Sequence, residues 1–94
     1  MSDFSVRDNR AMNRFEADVQ GQIAITAYRH NKGIVTFTHT EVPESLRGHG
    51  VAGKLVRGAL DQVRARGEHV VPECPYVASF IQKHPEYQDL VHQA

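Results

Sequence analysis

The run Val42-Pro43-Glu44-Ser45-Leu46-Arg47-Gly48-His49-Gly50-Val51-Ala52 concentrates the residue types that bind an anion. Glycine carries no Cβ, so its backbone N–H can approach an anion closely. A helix that starts near Gly50 adds unpaired amides and the positive end of its dipole. Together they suit phosphate or pyrophosphate. Arg47 can add charge-assisted hydrogen bonds, and His49 can assist when protonated. Two better-known nucleotide patterns fit poorly. A Walker A loop is absent, and Gly48-x-Gly50-x-x-Gly53 matches the dinucleotide pattern only formally, because antiparallel strands precede it rather than a βαβ unit. On spacing alone, a glycine-assisted helix start without a ligand stays open as the alternative.

The elements around this turn follow from periodicity. Phe15, Ala17 and Val19 alternate with Glu16, Asp18 and Gln20, the period of a strand. After the break at Gly21-Gln22, Ile23, Ile25 and Ala27 alternate with Ala24, Thr26 and Tyr28. His30-Asn31-Lys32-Gly33 supplies an asparagine and a glycine for a tight hairpin. A third strand runs from Ile34 to Thr40, with Val35, Phe37 and His39 on one face and Thr36, Thr38 and Thr40 on the other. The threonine row predicts a thinly covered face, since a sheet buried on both sides reads as continuous Val, Ile and Leu.

The period then changes. Val51, Ala52, Leu55, Val56, Ala59, Leu60 and Val63 recur every three or four residues, which predicts an amphipathic helix that Gly67 stops. Glu68 to Val71 reads as a short strand ended by Pro72, Tyr76 to Lys83 as a second helix, and Glu86 to Val91 as a last helical turn. The order β-β-β-α-β-α predicts an α/β domain: a mixed sheet in which a meander is followed by helix, strand and helix, with one right-handed parallel crossover and the helices on one face. Residues 1–12 lack a period and are expected to be a loose lead-in to a single domain over 13–94.

With the elements in place, the loop motif gains a family. Arg47-x-x-Gly50-x-Ala52 resembles the acyl-CoA pyrophosphate loop of the GNAT N-acetyltransferase superfamily, written Gln/Arg-x-x-Gly-x-Gly/Ala. Four segments, in the same order, resemble a subfamily of very short stand-alone GNAT-like domains. They are His39-Thr40-Glu41-Val42-Pro43, Leu46-Arg47-Gly48-x-Gly50-Val51-Ala52, Pro72-x-Cys74-Pro75-Tyr76-Val77 and His84-Pro85-Glu86-Tyr87-x-Asp89-Leu90-Val91. The likeness runs from about Phe15 to Val91. It implies the GNAT fold and acetyl-CoA as acyl donor, with pyrophosphate on the backbone around Arg47, Gly48, His49, Gly50, Val51 and Ala52. It also implies that pantetheine runs along Thr40 to Val42, where this strand and the one before Cys74 splay apart. Two departures stand out. The helices that usually follow the first strand, and build the acceptor side, are replaced by Gly21-Gln22. The tyrosine often found in the last helix is replaced by Phe80-Ile81.

Amine acetylation needs a neutral amine, a polarised thioester carbonyl and a proton for the leaving thiolate. Backbone amides at Glu41-Val42 could polarise the carbonyl. Glu41 or His39 could take the amine proton, directly or through water, although His39 also reads as a residue packed beside Phe37 and Glu41 as a solvated strand end. Cys74 lies between Glu73 and Pro75, in backbone biased to be extended. It reads as an acyl-carrying nucleophile, as a proton donor or positioning group, or as a small buried hydrophobe. Glu73, if close, disfavours its thiolate. Tyr76 could donate to the thiolate or pack on pantetheine. The expected function is transfer of acetyl from acetyl-CoA to an amine, with a protein lysine or N-terminus among the candidates. The alternative is an acyl-CoA-binding sensor or interaction module that does not turn over.

Composition narrows the field. Eleven basic residues balance eleven acidic ones, which speaks against a nucleic-acid binder driven by phosphate neutralisation. The single cysteine cannot form an internal disulfide. No apolar run has the length of a membrane span or, within Met1 to Arg14, the character of a signal peptide. No spacing resembles a closed zinc site. A cytoplasmic protein with neither nucleic acid, membrane nor metal as partner is expected.

Overall fold

The computed structural model describes residues 4–93. Its elements are β1 (Val6–Asn9), β2 (Arg14–Val19), β3 (Gln22–Asn31), β4 (Ile34–Glu41), α1 (Val51–Ala65), β5 (His69–Pro72) and α2 (Pro75–Lys83), with short 3₁₀ segments at Glu44–Leu46 and Pro85–Leu90. The five strands form one sheet in the order β1-β2-β3-β4-β5. The first four are antiparallel neighbours, and β5 joins β4 in parallel after the α1 crossover.

The expected mixed sheet is present, with one strand more than periodicity shows. Residues 6–9 are not a loose lead-in. They pair with β2 as an edge strand, from Val6 opposite Ala17 to Asn9 opposite Arg14. What holds them is mostly not hydrophobic, so no apolar rhythm marks them. Asp8 accepts hydrogen bonds from Tyr28 Oη at 2.6 Å and Arg66 Nη2 at 2.7 Å, and Gln62 Nε2 donates to the Val6 carbonyl at 2.7 Å. Gly58 makes room for the crossing: a Cβ built there would lie 2.6 Å from Val6 Cγ2. Residues 1–3 of the expected lead-in lie outside the described residues.

The β3–β4 hairpin also differs in detail. Lys32 and Gly33 take the positive φ values, 50° and 79°, while Asn31 ends β3. The turn is one residue later than the asparagine suggests, because Asn31 pairs with Ile34 across the ladder. Pro72 closes β5 rather than following it, and Pro75 opens α2, where its missing N–H costs nothing.

The α1 stripe Val51, Leu55, Val56, Ala59, Leu60 and Val63 is buried against Phe15, Tyr28 and Phe37, whose rings lie 5.3–6.4 Å apart. Burial of each large side chain is worth about 1.5–3 kcal/mol. The opposite face of the sheet has no helix over it. Ile23 is exposed and Ile25 and Ala27 are half-buried there. Glu16, only 3% exposed, is satisfied on this face by Arg7, Arg14 and Asn9.

Candidate functional site

The site begins where two parallel strands part company. Pairing of β4 with β5 stops at Phe37 opposite Pro72. The Cys74 N–H makes one more bond, to the Phe37 carbonyl at 2.8 Å, and α2 then leaves the sheet. β4 continues through Glu41. Main-chain groups on that side of Thr38 to Glu41 have no strand partner among the described residues, which is the splay expected from the sequence.

A β-bulge decides what lines this gap. Ala27 pairs with His39 and Tyr28 with Phe37, so Thr38 is an extra residue in β4. A bulge shifts the side-chain alternation beyond it by one. Thr40 therefore turns to the helix-covered side, where its Oγ1 lies 2.9 Å from Thr26 Oγ1 and 3.4 Å from Cys74 Sγ. His39 and Glu41 turn to the uncovered side. The expected grouping of His39 with Phe37, and of Thr40 with Thr36, is thus reversed by one inserted residue. His39 is not packed in the core: its side chain is 57% exposed, and its Nε2 lies 2.9 Å from Glu41 Oε1. Cys74 is buried. Both oxygens of the adjacent Glu73 are held at 3.2 Å by Arg29.

On the helix-covered side the gap leads to the glycine-rich turn. Leu46 is buried and anchors the turn. Arg47 Nε donates to the Val42 carbonyl at 3.2 Å, tying its side chain to the end of β4. Gly48 and Gly50 sit at φ 83° and 75°, conformations costly for other residues. Gly50 is the N-cap of α1, no side chain caps the helix, and its first turn contains no acidic residue. The first amides of α1 thus open onto a cavity of about 260 Å³ lined by Val42, Leu46, Arg47, Gly48, Gly50, Val51, Ala52, Gly53 and Tyr76. The cavity shares Gly50, Gly53 and Tyr76 with a second hollow of about 370 Å³ between α1 and α2. Lys54, Arg57, Lys83 and His84 give that second hollow a basic rim.

Of the residues singled out in the sequence, Val42, Arg47, Gly48, Gly50, Val51, Ala52 and Tyr76 come together in one cavity. Thr40 and Cys74 meet at the gap beside it, and His39 and Glu41 stand on the opposite face. His49 is exposed and lines neither hollow. The basic rim was not anticipated. Its signal is there in hindsight, since Lys54 and Arg57 are three apart on the polar side of α1 and Lys83 ends α2. Burial pushes the Tyr76 phenol above its ordinary range, so it stays protonated near neutrality.

This arrangement of turn, gap and sheet has counterparts. A family model described as GCN5-related N-acetyl-transferase matches residues 14–90. The chain belongs to the GCN5-related N-acetyltransferase family. Protein NATD1 of Gallus gallus is 32% identical over 90 residues, covering 93% of this chain and 82% of that protein. Protein NATD1 of Mus musculus is 34% identical over 83 residues, covering 87% of this chain and 67% of that protein. The solution structure of a GCN5-like protein from Staphylococcus aureus superposes with a TM-score of 0.72 at 23% identity, covering all of this chain and 93% of that one. It shares the GNAT fold. Within that fold, this chain passes from β2 to β3 through a tight turn at Gln20-Gly21, so no helix shields the face bearing His39 and Glu41.

Proposed function

We propose that this GCN5-related domain binds acetyl-CoA in the joined hollows and transfers its acetyl group through the β4–β5 gap to an amine on the other face. The observation that carries the reading is the continuity of the uncapped α1 N-terminus, the positive-φ glycines and the unpaired end of β4. Pyrophosphate would rest on the amides of Gly50 to Gly53 with Arg47 beside them. The basic rim of Lys54, Arg57 and Lys83 suits the phosphates of the nucleotide end. The pantetheine arm would pass Val42 and Tyr76 toward the gap.

The chemistry then divides between two faces. A lysine-type amine has an ordinary pKa near 10.4, so it must lose a proton before it can attack. The His39–Glu41 pair is placed to take it, directly or through water, and its exposure lets it pass the proton to solvent. The amine nitrogen attacks the thioester carbon. Unpaired N–H groups at the end of β4 stabilise the resulting oxyanion, the C–S bond breaks, and CoA leaves as a thiolate. Tyr76 is a poor acid for that thiolate. Burial holds its phenol above its ordinary value, which disfavours giving up the proton. Tyr76 would instead donate a hydrogen bond and keep its proton. Cys74, held against Thr40, would orient or protonate the leaving group, with no acyl-cysteine formed.

Titration calorimetry of CoA and acetyl-CoA tests the binding half. Arg47→Ala should weaken both by roughly 1.5–3 kcal/mol, the worth of a charge-assisted hydrogen bond. Cys74→Ala should keep measurable transfer in a thiol-release assay. Complete loss there, with a trapped acetyl-cysteine in the parent protein, would overturn direct transfer. Absence of CoA binding would overturn the whole reading. Binding without transfer to any amine would favour the non-catalytic alternative, which the missing hydroxyl at Phe80-Ile81 motivates.

A further inference from the structure

The face that no helix covers is charged in opposite senses at its two ends. Near the β4 end stand Glu41, paired with His39, and Asp18 on β2. Toward the hairpin, Arg29, Lys32 and His92 surround a hollow of about 440 Å³ floored by Ile34 and Thr36. Among the described residues no carboxylate lines it. Arg29 pairs with Glu73 at 3.2 Å, but both side chains are more than half exposed, and such a pair yields readily to a competitor. Lys32 has no ion-pair partner among the described residues. Between the two ends lie Ile25 and Ala27, half-buried and apolar.

The registers fix how far apart the ends are. Ile25 stands opposite Glu41 and Arg29 opposite Thr36. The separation is four residues along β3, about 13 Å at strand rise. An extended peptide covers the same distance in four residues, and its side chains four apart share one face.

We propose, on the acetyl-transfer reading above, that the acceptor is a lysine in an extended protein segment with Asp or Glu four residues away. The ammonium approaches Glu41 and gives its proton to the His39–Glu41 pair, while the carboxylate enters the hollow beside Arg29 and Lys32. The residues between them lie over Ala27. The uncovered face thus selects substrates by a paired positive and negative charge at fixed spacing, which a single free amine cannot offer.

Capped peptides with one central lysine test this, with Glu, Gln or Arg placed four positions away on either side. Initial rates by mass spectrometry should give Glu peptides a kcat/KM roughly two- to five-fold above Gln peptides at low salt, a gap that shrinks as salt is added. Arg peptides should fall below Gln peptides. Lys32→Asn removes the charge and leaves a residue at ease at positive φ, so the hairpin is kept. It should reduce the preference for Glu, and Lys32→Asn with Arg29→Gln should bring it close to unity. Equal rates for Glu and Gln peptides in the parent protein would overturn the proposal, as would a preference that survives both substitutions. Acetyl-CoA binding without transfer to any peptide would overturn the peptide acceptor and leave the thioester site standing. Loss of acetyl-CoA binding itself would overturn both.

Discussion

The two faces of the sheet are stabilised by different physics. On the covered face, Phe15, Tyr28, Phe37 and the α1 stripe exclude water, and the polar groups present, Thr26, Thr40 and Cys74, bond to one another. On the uncovered face, polar and charged groups meet one another: Glu16 with Arg7 and Arg14, His39 with Glu41, Arg29 with Glu73. The first face has few tolerable substitutions, because unpartnered polar groups there cost about 1–3 kcal/mol each. The second can change partners cheaply, as a surface meant to admit another molecule must. The difference teaches that one residue, Thr38, sorts the catalytic candidates between these environments.

Deleting Thr38 attacks the comparison most directly. Without the bulge, His39 and Glu41 would turn into the covered side and Thr40 out of it. A loss of at least about 3 kcal/mol is expected, since two charged or polar side chains would enter an apolar layer. Thermal melting reads it, and a deletion variant that melts like the parent would show that the bulge does not enforce the sorting.

Glu16 comes next, as the one carboxylate of the uncovered face, among the described residues, that is itself buried. Its hydrogen bond from Arg14 outweighs burial and lowers its pKa below 4.5. A carboxylate with a lowered folded pKa stabilises fully above its unfolded value, and that stability is lost as pH falls through the folded one. Denaturant titrations at stepped pH should therefore show the parent losing stability below about 4.5 more steeply than Glu16→Gln. At neutral pH the substitution should cost about 2 kcal/mol.

A smaller effect sharpens the covered face. Thr40→Val leaves the fully buried Thr26 hydroxyl without its partner and should cost about 1–2 kcal/mol. Adding Thr26→Val should recover much of that, because removing both partners of a buried hydrogen bond is nearly neutral. A double-mutant cycle measures the coupling. Simple additivity would mean that the two hydroxyls do not depend on each other.

These variants also mark how far the sequence could be read. The turn at Arg47 to Ala52 and the stripe of α1 are legible because glycine spacing and a 3.6-residue period are local signals. The mixed sheet and its parallel crossover follow from them. The bulge is not legible, since Thr38 is an ordinary strand residue and its role appears only in the pairing with β3. The strand Val6–Asn9 is hidden for another reason: besides its pairing with β2 it is held by Tyr28, Gln62, Arg66 and the bare backbone at Gly58, contacts that leave no apolar rhythm of its own. The residues named around the glycine-rich turn do gather in one cavity, while the faces of His39 and Thr40 are the reverse of those expected and the rim of Lys54, Arg57 and Lys83 was not anticipated.

The clasp between β1 and α1 has a consequence for how the chain acquires its shape. The bonds from Gln62 to Val6 and from Arg66 to Asp8 close sequence separations of 56 and 58 residues. Strands β1 to β4 can zip in the order in which they are synthesised, but these closures wait until α1 has been made. Loop closure of that length must be completed before the contacts repay it. β1 can thus be paired to β2 early and yet be clasped to the helix only late.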